Sequence, residues 1–400
     1  MKLKGLYILL ILGLLMTSCA PQATPTQAPV APAATVAPAA TAAPAATEVS
    51  KPACEKPIKV AIIGAMSGTN AVLGDWMKKG VTLAIEQKNA AGGVQGCQVE
   101  LIIYDDEADP TKSVGLAQKV ATADNVMAAW ATTNSNSALA DIPIFEQYKI
   151  PQLTNGTNVT ITQQGSAYIF RVNPAGPAYE DPLVDYLVKQ GKTKFAIIGD
   201  NSAYGKGEAA YQIAALTRNK LTSLATEEYG IDDKDFTGQL TKIFQTQPEV
   251  LLLAASEVAG GLVAKQARQL GFTGIIAGGS AMGTPKFVET AGDAAEGVYF
   301  TSPYPGNDAN DTTRAFAAAY KARWGEDAEV HGANTYDGMN MLMIAMENAK
   351  PLTPENVAAE MHKICGYVGL QGKFCYNDAG EGITSTVLGV VKGGKLTFLP

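Results

Sequence analysis

The sequence predicts an α/β fold made of two doubly wound lobes, each a parallel sheet with helices on both faces. Three observations support this prediction. From residue 57 onward, short apolar runs alternate with amphipathic helical segments. The opening strand and turn, KVAIIGAMSG at 59–68, has a counterpart in KFAIIGDNSAYG at 194–205. The alternation begins again at that second segment, which indicates two similar domains in tandem.

The elements of the first domain follow from hydrophobic periodicity and turn signals. Apolar runs too short to be helices predict strands at 58–64, 98–106, 125–131 and 150–154. Helical spacing of apolar residues, with a Gly pair as a stop signal at the end of the first, predicts helices at 73–93, 109–122 and 137–148.

The second domain repeats this order. Its strands are predicted at 194–200, 223–229, 249–255 and 274–279. Its helices are predicted at 204–221, 236–247 and 258–272. Beyond these, long helical stretches are expected at 312–325 and 332–350, and a hairpin-like pair of strands at 384–399. Ligands of doubly wound sheets bind beyond the carboxyl ends of the strands, so two facing sheets predict a shared cleft.

The amino-terminal segment is typical of an export signal. Two lysines precede the apolar run LYILLILGLLM, which is too short to span a membrane, and TSCA follows it at 17–20. A Cys after small residues resembles a lipobox, so we expect residues 1–19 to end at a lipidated Cys19. The alternative is an ordinary cleaved signal with an incidental Cys. Residues 20–56, rich in Ala, Pro and Thr, predict an extended tether that holds the folded part off a membrane.

Composition and motifs exclude several functions. The net charge is −7 and no long basic run occurs, which argues against nucleic-acid binding. The two histidines, His331 and His362, are too few for most histidine-based metal or catalytic sites. No nucleophile elbow, P-loop or dinucleotide loop is present. We therefore expect a binding protein without a cofactor or metal rather than an enzyme.

Four cysteines remain for disulfides in an exported protein. Cys54 and Cys97 each lie just before a predicted strand, at the same edge of a parallel sheet. Cys365 and Cys375 bracket a short loop that contains Gly. We expect these two pairs, although pairings between distant chain segments remain possible.

The segment YDDEADP, residues 104–110, concentrates four carboxylates at the end of a strand. Asp109 followed by Pro110 is typical of a helix N-cap and first helical position. Asp105, Asp106 and Glu107 are then expected to be solvated loop or cleft-rim groups. No second acidic cluster follows nearby in the sequence, so a metal cage is not favoured.

Several of these segments resemble one known family. GAMSG, NAAGGVQG, YDD…ADP and the later YGKG are similar to the periplasmic substrate-binding proteins of the branched-chain amino-acid type. The resemblance covers residue 57 to the end. It implies a type I periplasmic-binding fold whose two lobes are joined by three crossovers, near residues 173, 303 and 380. Lobe I would comprise 57–173 and 304–379, and lobe II 174–303 and 380–400.

The same resemblance implies a set of ligand-binding residues. In the amino-acid binders, the solute carboxylate is held by a hydroxyl after strand three and by backbone amides and a hydroxyl after strand four. An aromatic side chain closes over the ligand. The corresponding residues here are Thr133, Asn134, Asn155, Gly156, Thr157, Asn158 and Tyr204. From the residues alone, these are also ordinary turn and N-cap types.

This sequence departs from the family pattern where the ligand ammonium binds. The family Glu that pairs with the ammonium corresponds to Ser280, and a family Tyr corresponds to Ser256. A buried ammonium without a carboxylate is costly, so either Glu257 or another acid replaces the Glu, or the ligand has no ammonium. His331 replaces a family aromatic at the cleft wall. Trp130 ends strand three at or beneath the cleft, where it either contacts the ligand or packs in the core.

The resemblance implies a solute receptor for an ABC importer. We expect a monomer that is anchored to the outer face of the cell membrane through Cys19. It would capture a small organic solute and deliver it to a membrane permease. The solute would be an amino acid or a related amide or organic acid. The alternative is a sensing receptor that signals to a membrane partner.

Overall fold

The computed structural model describes residue 54 and residues 56–399. The predicted signal peptide, Cys19 and nearly all of the tether lie outside these described residues. The strands are β1 (Ile58–Gly64), β2 (Val99–Asp105), β3 (Ala128–Ala131), β4 (Gln152–Thr154), β5 (Ile169–Arg171), β6 (Phe195–Asp200), β7 (Ser223–Tyr229), β8 (Val250–Ala254), β9 (Ile275–Gly278), β10 (Tyr299–Ser302), β11 (Cys365–Gly369), β12 (Gly372–Tyr376), β13 (Gly382–Ile383), β14 (Val387–Lys392) and β15 (Lys395–Phe398).

Helices alternate with these strands. They are α1 (Ala71–Ala90), α2 (Pro110–Thr122), α3 (Ser135–Tyr148), α4 (Pro177–Lys189), α5 (Ala203–Arg218), α6 (Thr237–Gln245), α7 (Glu257–Gln269), α8 (Pro285–Ala291), α9 (Asp311–Trp324), α10 (Val330–Asn348) and α11 (Pro354–His362). Short 3₁₀ turns occur at Val159–Ile161, Ser280–Gly283 and Gly292–Ala295. None of the described helices combines the length and the apolar character that crossing a membrane requires.

Two sheets organise the chain into two lobes, as predicted. The first lobe is built on a five-stranded sheet in the order β2-β1-β3-β4-β5, in which every pair is parallel. The second is built on a seven-stranded sheet in the order β15-β14-β10-β9-β8-β6-β7. Its parallel strands run from β7 to β10, and the predicted hairpin of β14 and β15 adds antiparallel strands at one edge.

The chain passes between the lobes three times. It leaves the first sheet after β5, returns after β10 so that α10 packs against α1, and leaves again after β13. The resemblance placed the last passage near residue 380. It lies a few residues later, because β13 still pairs with β12 in a small antiparallel sheet. The polypeptide therefore crosses to β14 between residues 383 and 387.

The core of the first lobe forms between its sheet and the helices α1 and α10. Trp130 of β3 is fully buried there and packs against Gly338 of α10. A Cβ atom at Gly338 would lie 2.4 Å from the indole ring, so the glycine is what lets helix and tryptophan approach. The indole therefore supports the sheet from inside the lobe.

The acidic segment after β2 mostly builds local structure. Asp109 caps α2 as predicted, since its carboxylate accepts a hydrogen bond of 2.7 Å from the Thr111 N–H and Pro110 occupies the first helical position. The expectation that Asp106 is solvated is wrong. Its side chain is fully buried and accepts a hydrogen bond of 2.9 Å from the Ala108 N–H.

Both expected disulfides are present. Cys54 pairs with Cys97 across a Cα–Cα distance of 5.3 Å, which joins the chain ahead of β1 to the start of β2. Cys365 and Cys375 face each other on β11 and β12 with a Cα–Cα distance of 3.9 Å. The two expected pairs therefore form, because the two cysteines of each pair lie on or beside neighbouring strands.

A buried aspartate predicts a pH-dependent stability. Asp141 of α3 is buried against α2, where its carboxylate accepts a hydrogen bond of 2.6 Å from the Ser113 hydroxyl. Burial, with the nearby charge of Asp106, raises the pKa of Asp141 to about 8. Because this folded pKa lies above the unfolded value, Asp141 costs stability increasingly as the pH rises from about 4 to about 8.

We therefore expect Asp141→Asn to increase the free energy of unfolding by on the order of 1–3 kcal/mol at pH 8, with the gain shrinking toward pH 4. Urea denaturation of both proteins across this pH range measures the difference. The exposed Asp378→Asn is a matched control that should show no such trend. A gain from Asp141→Asn that is the same at pH 4 and pH 8 would contradict the argument.

Candidate functional site

A cavity of about 60 Å³ lies between the lobes, where the carboxyl ends of strands from both sheets approach each other. Both lobes contribute residues to its wall, the first lobe more than the second. The lining residues are Asn70, Leu73, Thr133, Asn134, Ser135, Asn155, Thr157, Asn173, Tyr179, Tyr204, Ser256, Glu257, Ser280, Ala281, His331 and Asn334. Most of the lining residues have polar side chains, and most of these side chains are neutral.

The loop after β3 presents hydrogen-bond donors to this cavity. Asn134 is the N-cap of α3 but makes no side-chain capping bond, so the first amides of that helix keep their donors. The Thr133 Oγ1 and Asn134 Nδ2 atoms are buried and have no hydrogen-bond partner within the described protein. Buried polar atoms are normally paired, so these atoms point to a polar ligand group, and the helix N-terminus favours an anionic one.

The loop after β4 adds Asn155 and Thr157 to the same side. Arg171, fully buried at the end of β5, holds this loop by donating hydrogen bonds to the backbone carbonyls of Gly156 and Asn158. A Cβ atom at Gly156 would lie 2.9 Å from the end of the Ile161 side chain and 3.3 Å from the Ser135 Cα atom, so glycine lets this loop approach α3 closely. The loop is therefore rigidly positioned beside the start of α3.

The second lobe contributes aromatic and hydroxyl groups. Tyr204, in the first turn of α5, lines the cavity, and burial raises the pKa of its hydroxyl well above the usual value. Ser256 and Ser280 follow β8 and β9, and Tyr179 completes this wall. The Tyr179 hydroxyl accepts a hydrogen bond of 3.0 Å from the Asn173 amide. This leaves the Asn173 Oδ1 atom buried without a partner among the described residues.

An acid–imidazole pair joins the lobes across the cavity. The Glu257 Oε1 atom, at the start of α7, lies 3.0 Å from the Nε2 atom of His331, near the start of α10. The imidazole stacks on Trp76 with a ring separation of 5.8 Å and an interplanar angle of 6°. Its Nδ1 atom lies 3.4 Å from the Asn155 side-chain amide. Glu257 and His331 are thus the ionisable pair of the cavity wall.

Two further carboxyl groups lie in the second lobe close to the cavity wall. Glu180 and Glu208 are fully buried beside one another, and burial raises the pKa of both. The Thr157 hydroxyl donates a hydrogen bond of 2.5 Å to Glu208, which links the first lobe to this pair. Repulsion from the charge of Glu208 further raises the pKa of Glu180.

Comparison with known proteins identifies the family. A model of the periplasmic binding protein family matches residues 57–395. The chain belongs to the periplasmic binding protein family. The fold class and the solute-binding role are confirmed, and the members of this family are binding proteins rather than enzymes. Periplasmic binding proteins act outside the cytoplasm, as predicted for this chain.

Relatives within the periplasmic binding protein family have named solutes. The leucine-, isoleucine-, valine-, threonine-, and alanine-binding protein of Pseudomonas aeruginosa is 29% identical over 307 residues, 75% of this chain and 81% of that protein. The leucine-specific-binding protein of Salmonella typhimurium is 28% identical over 315 residues, 78% of this chain and 85% of that protein.

Solved structures share the architecture. A leucine binding protein from Thermotoga maritima superposes with a TM-score of 0.80 at 28% identity, over 86% of this chain and 98% of that one. A solute binding protein from R. palustris in complex with benzoate superposes with a TM-score of 0.79 at 20% identity, over 86% of this chain and 95% of that one. The second similarity concerns the fold alone.

The periplasmic binding protein fold brings together eight of the predicted ligand-binding residues around the cavity. They are Thr133, Asn134, Asn155, Thr157, Tyr204, Ser256, Ser280 and His331. The other three lie elsewhere. Trp130 is a core residue, and Gly156 and Asn158 shape the β4 loop, where the Asn158 amide donates a hydrogen bond of 2.7 Å to the Ala203 carbonyl. The predicted placement of Trp130 at the cleft is therefore wrong.

Sequence reasoning missed four polar residues of the wall, the first of which is Asn70 at the N-cap of α1. Asn173 and Tyr179 follow β5 at the first passage between the lobes, and Asn334 lies one turn after His331 on α10. The sequence could have indicated Asn334, because a residue three positions after His331 on a helix lies on the same helix face. Within the described residues, no group of three His, Cys, Asp or Glu side chains could hold a metal ion.

Thr133 and Thr154, whose hydroxyls differ in their partners, should respond differently to loss of those hydroxyls. Thr154 donates a hydrogen bond of 2.5 Å to the Thr132 carbonyl, whereas the Thr133 hydroxyl has no partner among the described residues. We expect Thr154→Val to lower the free energy of unfolding by about 1–3 kcal/mol and Thr133→Val to leave it unchanged or higher. Denaturant unfolding of the protein alone measures both, and equal losses would show that the Thr133 hydroxyl serves the fold.

Proposed function

We propose that the chain captures a small polar amino acid, or a related amide, in the interlobe cavity and delivers it to an ABC-type importer. The observation that carries the proposal is the ring of buried polar atoms around the cavity that have no partner within the described protein. Donors at Thr133 and Asn134 suit a carboxylate or amide oxygen. Acceptors at Asn173 and Asn334, with Glu257 beside them in the wall, suit an amino group.

The size and lining of the cavity favour a small solute. Its volume, about 60 Å³, is far below that of the pockets that hold drug-sized ligands, about 300–1,000 Å³. Leu73 and Ala281 are the aliphatic residues of the described wall, so aliphatic contacts for a long side chain come from two residues. Alanine, serine and threonine fit this chemistry better than leucine or phenylalanine.

The relatives support the class of solute and the transport role. Alanine and threonine are among the amino acids named for the Pseudomonas aeruginosa relative. Closure of the lobes about the three passages buries the solute, and its contacts to both walls stabilise the closed form over the open one. We place the boundaries of the lobes at the passages after β5, β10 and β13 and take the receptor to be a monomer.

Thermal-shift measurements with amino acids, amides and small carboxylic acids test the proposal. We expect small polar amino acids to raise the melting temperature by several degrees, because ligand that binds only the folded state stabilises it by RT ln(1 + [L]/Kd). Thr133→Val should weaken the affinity by about tenfold while the protein remains folded. A folded protein that responds to no member of the panel would contradict amino-acid capture, and a preference for leucine would contradict the size argument.

We further propose that a lipid on Cys19 anchors the receptor, with residues 20–56 as its tether. In cells that express the full chain, we expect labelled fatty acid to be incorporated and the protein to sediment with membranes. Cys19→Ser should abolish both while the folded domain keeps its ligand response. Incorporation that persists in the Ser variant would contradict an anchor at this residue.

A further inference from the structure

We propose that Glu257 recognises a cationic amino group on the solute, and that His331 is a resident cation which this group displaces. The inference rests on the proposed function and narrows it, because it requires a solute with a protonated amine. It also gives a place to the carboxylate that the family pattern puts at Ser280 and that this chain lacks there.

Glu257 is the carboxylate of the described cavity wall. It stands in the first turn of α7, directly after the N-cap Ser256, and its side chain is about 95% buried, with 5% of its surface exposed. The helix N-terminus stabilises its negative charge. A buried carboxylate still requires a charged or hydrogen-bonded partner, and His331 on the opposite lobe supplies one at 3.0 Å.

The surroundings of Glu257 match the donors of an ammonium group. Such a group carries three N–H donors and no acceptor. The Asn173 Oδ1 and Asn334 Oδ1 atoms are buried acceptors without partners among the described residues, and both residues line the cavity with Glu257. Asn334 follows His331 by three positions on α10, so the two share a helix face. In the proposed complex, the Glu257 carboxylate and these two amide oxygens would accept from the three N–H donors.

His331 has the surroundings of a charged imidazole. Glu257 faces its Nε2 atom, Glu329 at the helix N-cap accepts a hydrogen bond of 2.6 Å from its backbone N–H, and Trp76 stacks on the ring. Burial lowers the pKa of His331, but the hydrogen bond to Glu257 and the charges of Glu329 and Glu257 outweigh it and raise the pKa. The buried Asn155 Oδ1 atom is unpaired, and turning that amide over would offer it to the second imidazole N–H.

The cleft mouth adds an independent observation. A second hollow, which shares Asn70, Asn134, Tyr204 and Ser256 with the cavity, opens among acidic side chains from both lobes. The acids are Glu107, Asp109, Asp200, Asp232 and Asp233, with Lys234 as the cation of the described lining. Clefts lined by one sign of charge concentrate solutes of the opposite sign, so this mouth favours the entry of a positively charged group.

Isothermal titration calorimetry with matched pairs of solutes tests the inference. Each pair consists of an amino acid and the 2-hydroxy acid of the same skeleton, such as L-alanine with L-lactate. We expect the wild-type protein to prefer the amino acid. Glu257→Gln should weaken amino-acid binding about 100-fold and change hydroxy-acid binding little. Glu257→Asp keeps the charge and should retain the preference, and the exposed Glu355→Gln on α11, which lines neither hollow, is the control that leaves it intact.

Substitution of His331 should have the opposite effect on amino-acid affinity from substitution of Glu257. If the imidazole competes with the solute for Glu257, His331→Gln should bind the amino acid several-fold more tightly than the wild type. A histidine that merely contacts the solute or supports the wall would instead lose affinity on substitution. His331→Asn provides a second variant of smaller size, and melting temperatures establish that each variant is folded.

The outcomes separate this inference from the proposed function. If the wild type prefers the hydroxy acids, or if Glu257→Gln keeps the preference for amino acids, the role of Glu257 is overturned while solute capture stands. If the His331 variants bind amino acids more weakly, the resident-cation role is overturned. If no member of either series binds the folded protein, the inference and the proposed function are both overturned.

Discussion

The ion pair and hydrogen bonds of buried Arg171 hold the site and the connections between the lobes in one arrangement. Arg171 ends β5, immediately before the chain leaves the first sheet, and its guanidinium binds the carbonyls of Gly156 and Asn158 in the β4 loop. Its Nε atom lies 2.8 Å from Glu381, just before the last passage between the lobes. A fully buried cation is tolerated only where carbonyls and a carboxylate surround it. The loop that faces the solute is therefore tied to two of the three connections on which the lobes move.

The cavity follows from that arrangement and from the topology of the sheets. Parallel strands place the loops after their carboxyl ends on one edge, and two such edges face each other here. The strands bury apolar side chains, whereas the loops carry hydroxyl and amide side chains and the free backbone N–H groups of helix N-termini. Several of these groups, such as the Thr133 hydroxyl and the side-chain Oδ1 atom of Asn173, lack partners among the described residues. Unpaired buried polar groups oppose folding, and the five such atoms among the described residues of the cavity wall can be satisfied by a ligand.

Sequence reasoning succeeded where local patterns decide the structure. The alternation of strands and helices, the N-cap at Asp109 and the hairpin at the end of the chain are all present. It failed where partners distant in sequence decide. Trp130 ends its strand with the pattern of a cleft residue, but Gly338, some two hundred positions later, makes room for it in the core. Asp106 has the composition of a loop residue, yet the packing of the following helices buries it. The membership of Asn173, Tyr179 and Asn334 in the wall depends on the meeting of three separate chain segments.

The sequence by itself determined the fold class, the tandem domains and the family, because hydrophobic periodicity and short motifs are local and repeat along the chain. The family resemblance predicted ligand contacts in the loops after β3 and β4, and residues of both loops line the cavity. Only the tertiary structure decided that Glu257 and His331 meet at 3.0 Å, since they come from opposite lobes and lie 74 positions apart. The reason is physical: the charge of a buried group and its partner depend on what surrounds it in space, and adjacency across a cleft leaves no periodic trace in the sequence.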